Sequence, residues 1–542
     1  MQDTLPPQGP GPGGTADGPS GSPTTLASLP AHAARRHGEK TAIVTADGER
    51  ITFVDLDARV SRAATWLTRQ GLQRGDRVTL WAPNGIEWVV AYYGVLRAGL
   101  VINPLNFLLS PQEVAFSTAD CGAGLLIAGT SRLDAVASLA GQGALRAVVD
   151  AATLASVQGA GLPPADVPAE DPAAILYTSG TTGHPKGAML SHRSLLLNAA
   201  LTAQMHARTS ADTVVSALPL PHVYGAAILN AALLTGMTVV VHAQFKEAAV
   251  LADIQRHKAT MLEGVPTMYL YLLAYPQLQD HDLSSLTRCT VGGQTMPIAK
   301  MQEVERRLGC PLIELWGMTE LGGLGTTHAS LAPSKLGSIG VALPHMETRI
   351  VAADDGRREL PWDEVGELCV RGPLVMSGYF GNPSATAETI DQDGWLHTGD
   401  LARKDRDGYI TVVDRKKDMI LTGGYNVYPA ELERVIASHP AVAMVAVGRV
   451  PDAVKGELAK AYIVLRPGTT ATAEAIVEHC RGQLAAYKLP RRVQFVADLP
   501  KTSTGKILRR ALASLDAPDA GQPSGSMPQA RNRASSGASS VR

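Results

Sequence analysis

The chain has 542 residues, 45% of them apolar and 18% charged, with a formal net charge of −1. That length exceeds what one hydrophobic core fills, so more than one folding unit is expected. The near-zero charge removes any global electrostatic drive toward nucleic acid or an anionic membrane surface, and a polyanion would have to be held by local groups. The cysteines Cys121, Cys289, Cys310, Cys369 and Cys480 are scattered, odd in number and without a CxxC pair. That pattern predicts reduced thiols in a cytoplasmic protein, not a disulfide framework or a zinc site.

In chain order, residues 1–25 are rich in Pro, Gly, Ser and Thr and lack the apolar run of a signal peptide, which predicts a disordered leader. Ile51-Thr52-Phe53 alternates like a strand. Asp55 offers a helix N-cap, and Leu56, Val60, Ala63 and Leu67 recur at helical spacing until Gly71. Val78-Thr79-Leu80-Trp81 reads as a buried strand, 87–97 as a helix stopped near Gly99, and Leu100-Val101-Ile102 as a strand. This alternation predicts βαβ units and a largely parallel sheet, and the pattern resumes over 213–316.

Between these two regions, the apolar runs Ala173-Ala174-Ile175-Leu176 and Ala188-Met189-Leu190 flank Tyr177-Thr178-Ser179-Gly180-Thr181-Thr182-Gly183-His184-Pro185-Lys186-Gly187. Glycines let the backbone approach a ligand and aim N–H groups at an anion, hydroxyls add donors, and Lys186 adds charge. The composition suits a polyphosphate, although Gly-Lys-Ser/Thr at Walker A spacing is absent. Over 335–413 short β-rich runs appear, Thr348-Arg349-Ile350-Val351, Glu367-Leu368-Cys369-Val370 and Tyr409-Ile410-Thr411-Val412-Val413, which predict a small antiparallel or barrel-like subdomain. The charged junction Arg415-Lys416-Lys417-Asp418 marks the main domain boundary at 414–417. Beyond it comes a compact α+β pattern: a helix opened by Pro429, strands near 442–447 and 461–464, and a helix from about Ala473. Residues 516–542 return to Ser, Gly, Pro and Arg and predict a disordered tail. No apolar run approaches the ~18 residues of a membrane span. The expected fold class is α/β: an N-terminal domain over 26–414 built of doubly wound α/β subdomains plus the β-rich subdomain, then a small α+β C-terminal domain over 415–515.

Further segments accompany the glycine loop: Leu218-Pro219-Leu220-Pro221-His222-Val223-Tyr224-Gly225; Trp316-Gly317-Met318-Thr319-Glu320; Leu396-His397-Thr398-Gly399-Asp400; Asp414-Arg415-Lys416-Lys417-Asp418, running on to Gly424-Tyr425-Asn426; and Pro500-Lys501-Thr502-Ser503-Thr504-Gly505-Lys506. In this order they resemble the core motifs of the adenylate-forming superfamily, which holds acyl- and aryl-CoA synthetases, nonribosomal-peptide adenylation domains and beetle luciferases. The resemblance spans residues 25–515. It implies a reaction in two steps. A carboxylate attacks the α-phosphate of ATP to give an acyl-adenylate and pyrophosphate, and the thiol of CoA then displaces AMP.

Such chemistry brings an anion to a polyanion and needs positive charge and dipoles at the developing charge. The resemblance implies phosphate contacts from Thr178, Ser179, Gly180, Thr181, Thr182, Gly183 and Lys186, with Thr319 at the α-phosphate. It implies Glu320 as the Mg²⁺ ligand, a hard carboxylate completed by phosphate oxygens. Trp316 stands where a tyrosine is commoner and would stack on adenine, with Gly293, Gly317 and Met318 beside it. Asp400 would accept hydrogen bonds from the ribose hydroxyls, and Arg415 would contact ribose and phosphate. Lys506, on the lid, would reach both the substrate carboxylate and the α-phosphate. Lys417 matches the hinge about which the lid turns. Turning would withdraw Lys506 and bring Gly423, Gly424 and Tyr425 to the thiol channel. His222 matches a residue near the acyl pocket and channel.

The acyl pocket would be lined by His222, Tyr224, Gly225, Ala226, Gly292, Gly293, Gln294, Gly317, Met318, Gly322 and Gly323, with the small residues leaving room for a hydrophobic chain or ring. Val223 stands where amino-acid-activating relatives carry an aspartate, and an unpaired ammonium there would be costly. The expectation is an AMP-forming acyl-CoA synthetase using ATP, Mg²⁺ and CoA on a small-molecule acid, with a medium- or long-chain fatty acid first and a cinnamate- or benzoate-like acid second. A fatty acyl-AMP ligase serving a carrier protein is a further alternative, although no residues are added after Lys417. A non-enzymatic binder would have lost Lys506, Glu320 or Asp400. Oligomeric state stays open between monomer and homodimer.

Overall fold

The computed structural model describes residues 22–178, 185–332, 334–422, 425–452, 454–502 and 506–516. The leader up to residue 21, most of the glycine loop, Gly423, Gly424 and the tail from 517 lie outside the described residues.

Two mixed sheets form the body. The first has seven strands, in the order Gly378–Tyr379, Lys186–Ser191, Pro172–Thr178, Val101–Pro104, Arg77–Trp81, Leu125–Ala128, Ala147–Asp150. The second has nine, and its centre runs Leu312–Met318, Arg288–Gly292, Met261–Gly264, Thr213–Ser216, Thr238–Val241, Thr41–Thr45, all parallel. These strands are short, rich in Val, Ile and Leu and mostly buried, as expected where helices cover both faces of a parallel sheet. Helix Val223–Thr235 is buried from Val223 through Leu233 and carries no charged residue. A helix apolar all round has no solvent face to present, so it belongs in the core.

Sequence periodicity placed one boundary too late. Thr52, not Asp55, caps the helix Phe53–Thr68: its hydroxyl accepts from the Asp55 N–H at 3.1 Å, so Phe53 is already helical. The β-rich region is an open four-stranded antiparallel sheet, Glu347–Val351, Gly366–Arg371, Leu396–Lys404, Ile410–Arg415. It does not close into a barrel because its last strand finds another partner. Ile339 N–H donates to Ile410 O at 2.8 Å and Ile410 N–H to Gly340 O at 2.9 Å, which docks that edge on the body.

The C-terminal lobe pairs Val442–Asp452 with Gly456–Leu465 in a five-stranded sheet, packed by helices Pro429–Ala437 and Ala473–Arg481. Its hydrophobic cluster, with Ile420, Leu432, Ile436, Val447, Ile463 and Ile476, is its own. Across the cleft, Leu270 and Tyr271 of the body helix Pro266–Ala274 pack on a second cluster in this lobe, of Met444, Ala446, Tyr462, Leu499 and Leu512. All five cysteines are buried and free. Among the described residues no helix is long and apolar enough to cross a membrane.

Candidate active site

Because Met261–Gly264, Arg288–Gly292 and Leu312–Met318 run parallel, their carboxyl ends share one edge of the nine-stranded sheet. In open α/β sheets that edge is where ligands bind. Gly293 follows the second of these strands, and Thr319 and Glu320 follow the third. The glycine loop leaves the other sheet between Pro172–Thr178 and Lys186–Ser191, where Thr178 and Lys186 face each other as cross-strand partners at its mouth.

Lys506 reaches this edge from the C-terminal lobe. Gly293 has φ +93°, which favours glycine, and a Cβ there would lie 2.8 Å from Lys506 Cε, so a side chain would displace the lysine. Burial, then the Arg415 charge, push the Lys506 ammonium down to about 8, while Asp400 acts against them. Asp400 is itself buried, which pushes its carboxyl above the usual range. Arg415, the Trp316 N–H, Lys506 and Lys417 pull it back.

Asp400 is held from two sides. Arg415 Nε lies 2.6 Å from one carboxylate oxygen, and Trp316 Nε1 donates to the other at 2.7 Å. Trp316 is only 8% exposed, and its ring lies where a Cβ on Gly325 would have to go. The indole is thus first of all a buttress for the carboxylate, a role its place in the chain did not announce.

A second pair meets through a residue that motif reading missed. Tyr379 donates its hydroxyl to Glu320 Oε1 at 2.7 Å, and Lys186 Nζ sits 5.2 Å from the centre of its ring. Tyr379 comes from the two-residue strand Gly378–Tyr379, which pairs with Ala188 and Met189 beyond the loop. No local periodicity marks so short a strand.

His222 caps helix Val223–Thr235: its Nδ1 accepts from the Tyr224 N–H at 3.2 Å. Burial, and next the Lys506 charge, push its imidazole down to about 3, so the ring is neutral. With Nδ1 accepting, the proton sits on Nε2. Tyr224 donates to Glu263 Oε2 at 3.1 Å and bonds Thr290, and Glu263 pairs with Arg208 at 2.7 Å in full burial. A polar network therefore backs the apolar wall that Ala226 and its helix present.

Several residues expected along the pocket have close neighbours. Gln294 turns its carboxamide to the C-terminal lobe, accepting from Ile507 N–H at 3.0 Å and donating to Ile507 O at 3.4 Å. A Cβ would strike Pro219 O from Gly225, Leu315 from Gly292, the Gly323 carbonyl from Gly317, Leu195 from Gly322 and Asn198 from Gly323. Their smallness answers close packing of the backbone. Met318 is half-buried beside Gly317. Lys417 is exposed at the junction, and partial desolvation, with the Arg415 charge adding to it, lowers its ammonium. Tyr425 is 58% exposed and stacks on Tyr487 within its own lobe, whereas Lys506 stands at the strand edge.

The chain belongs to the AMP-binding enzyme family: the model of that family matches residues 30–380, and that of the AMP-binding enzyme C-terminal domain matches 431–506. Within it the relatives are CoA ligases, and the chain is an AMP-forming acid–CoA ligase of the acyl-CoA synthetase type. It is 34% identical to a long-chain-fatty-acid–CoA ligase of Bacillus subtilis (strain 168), over 90% of this chain and 94% of that one. It is 38% identical to a feruloyl-CoA synthase of Amycolatopsis sp., over 89% and 97%. Among solved structures, ATP-bound MatB from Rhodopseudomonas palustris aligns with TM-score 0.84 at 33% identity, over 90% of this chain and 98% of that one. The apo form of the same protein aligns with TM-score 0.75.

Proposed function

We propose that this ligase activates a hydrophobic carboxylic acid, a medium- or long-chain fatty acid first, and passes the acyl group to CoA by two half-reactions run in two lid orientations. The observation that supports it most is Lys506 lodged beside Gly293, within the field of Asp400, Arg415 and His222. In this reading Thr178, Lys186 and the glycine loop hold the β- and γ-phosphates, and Thr319 touches the α-phosphate. Asp400 accepts ribose hydroxyls on the lone pairs that Trp316 and Arg415 leave open. The Lys506 ammonium draws the acid's carboxylate oxygen onto the α-phosphorus, and the bond to pyrophosphate breaks.

Glu320 would hold Mg²⁺. Among the described residues no cluster of carboxylate, His or Cys side chains offers a cage, and a single carboxylate suits an ion that takes its other oxygens from phosphates. The ion supplies charge neutralisation at those oxygens. In the second step the body and lid turn about Lys417, Lys506 withdraws, the Gly423-Gly424-Tyr425 segment lines the thiol's path, and AMP leaves as the thioester forms. A cytoplasmic site of action suits the free thiols.

A fatty acid comes first because helix Val223–Thr235 is apolar along its length and the chain is kin to a long-chain ligase. An aryl acid is the second reading, favoured by the Tyr224–Glu263–Thr290 network behind that wall and by kinship with a feruloyl-CoA synthase. Pyrophosphate release with decanoate, palmitate, oleate, cinnamate and ferulate, with and without CoA, tests both. Straight-chain acids should lead in kcat/KM by about tenfold or more. A lead by cinnamate or ferulate would install the second reading. Adenylate as the final product even with CoA present would point to a carrier protein. No pyrophosphate with any acid would end the proposal.

A further inference from the structure

We propose that Gln294 is a positioning residue for adenylation: its carboxamide clasps the main chain of Ile507 and so sets how deeply the neighbouring Lys506 enters beside Gly293. A carboxamide carries one acceptor and one donor on a flat edge, the complement of a peptide's N–H and C=O. Here both are engaged on one residue, Ile507 N–H to Oε1 at 3.0 Å and Nε2–H to Ile507 O at 3.4 Å. The side chain thus acts as a one-residue strand partner for the segment that carries the lysine. That segment is otherwise braced within its own lobe by the bridge between Lys501 and Ile507.

Gly293 and Gln294 divide the work. The first has no Cβ where Lys506 Cε passes, and the second grips the backbone one residue further on. Other contacts across the cleft lie further from the lysine in sequence. Glu303 pairs with Arg466 at 3.2 Å, and the Tyr271 ring centre lies 5.2 Å from Lys501 Nζ. They hold the lobes together but do not register Lys506. The clasp exists only while the lysine is inserted, so turning the lid must break it, and thioester formation has no use for it.

The inference rests on the reading of Lys506 as the adenylating lysine. The test compares Gln294→Ala, Gln294→Glu and Lys506→Ala with the parent chain, using the acid of the above panel that turns over best. One assay is ATP–pyrophosphate exchange, and the other is conversion of supplied acyl-adenylate and CoA to thioester. For Gln294→Ala the first should fall about tenfold and the second should stay within about twofold. Gln294→Glu keeps the acceptor for Ile507 N–H and loses the donor, so it should fall between, and it decides the matter if the alanine variant does not fold. Equal loss in both assays, or no loss in the first, overturns the clasp. If Lys506→Ala leaves exchange intact, the reading of the lysine fails instead, and the two failures are told apart.

Discussion

The two halves of the cleft are built on different principles. On the body, each charged group is held by protein before any ligand arrives: Asp400 by Trp316 and Arg415, and Glu320 and Lys186 through Tyr379. On the lid, one ammonium is delivered by a segment that the body grips through the Gln294 carboxamide. Groups needed for nucleotide binding in both half-reactions gain from rigidity, because preorganised dipoles need no rearrangement at the moment of reaction. In the proposed function Lys506 serves only one of the half-reactions and must be removable, which suits a polar clasp on the segment that carries it.

The largest test of this contrast is Lys506→Ala. Adenylation should fall about a hundredfold to a thousandfold, while thioester formation from supplied adenylate stays near the parent rate. A comparable loss in both would mean that the lysine belongs to the fixed half. The second test is pH. Burial and Arg415 hold Lys506 at about 8 in the empty enzyme, lowered from its ordinary value, so its cationic fraction declines as pH rises through that point. The kcat/KM of adenylation should therefore drop about tenfold per unit above it. Lys506→Arg should flatten that limb, because guanidinium keeps its charge. His222 is pushed down to about 3, so no limb near neutrality should come from it.

The smallest effect is expected on the body. Trp316→Phe keeps an aromatic ring and removes the N–H that stabilises the Asp400 carboxylate. The carboxyl, already raised by burial, rises further. The KM for ATP should increase about tenfold, more at pH 6 than at pH 8, and adenylation and thioester formation should suffer alike. A loss confined to adenylation would blur the distinction between the halves.

The motifs specify chemical types and are silent on partnerships. Lys506, Asp400, Arg415 and Glu320 carry charge that a phosphoryl reaction needs, and each sits in a segment whose order along the chain is informative. Trp316 was read as an adenine platform because an aromatic ring in that motif suggests stacking, yet its N–H faces a carboxylate 84 residues away. Gln294 follows two glycines, and its carboxamide finds a partner 213 residues on. The glycines of the pocket region have backbone or side chains close against them, which their place in the chain does not announce. The strands and helices named from periodicity lie within a few residues of those observed, and the misplaced cap at Thr52 turns on a single side-chain hydrogen bond.

The order of residues along the chain was enough to specify the kind of chemistry, the alternation of strand and helix, and the separate C-terminal lobe. These depend on local periodicity, turn-forming residues and side-chain chemistry, all of which are written in short windows. Folding alone settled which side chain steadies which: Tyr379 under Lys186 and against Glu320, Trp316 against Asp400, Gln294 on Ile507. Those pairings join residues that only strand pairing and the docking of sheets and lobes on one another bring within reach, and no property of either residue's neighbours along the chain encodes them.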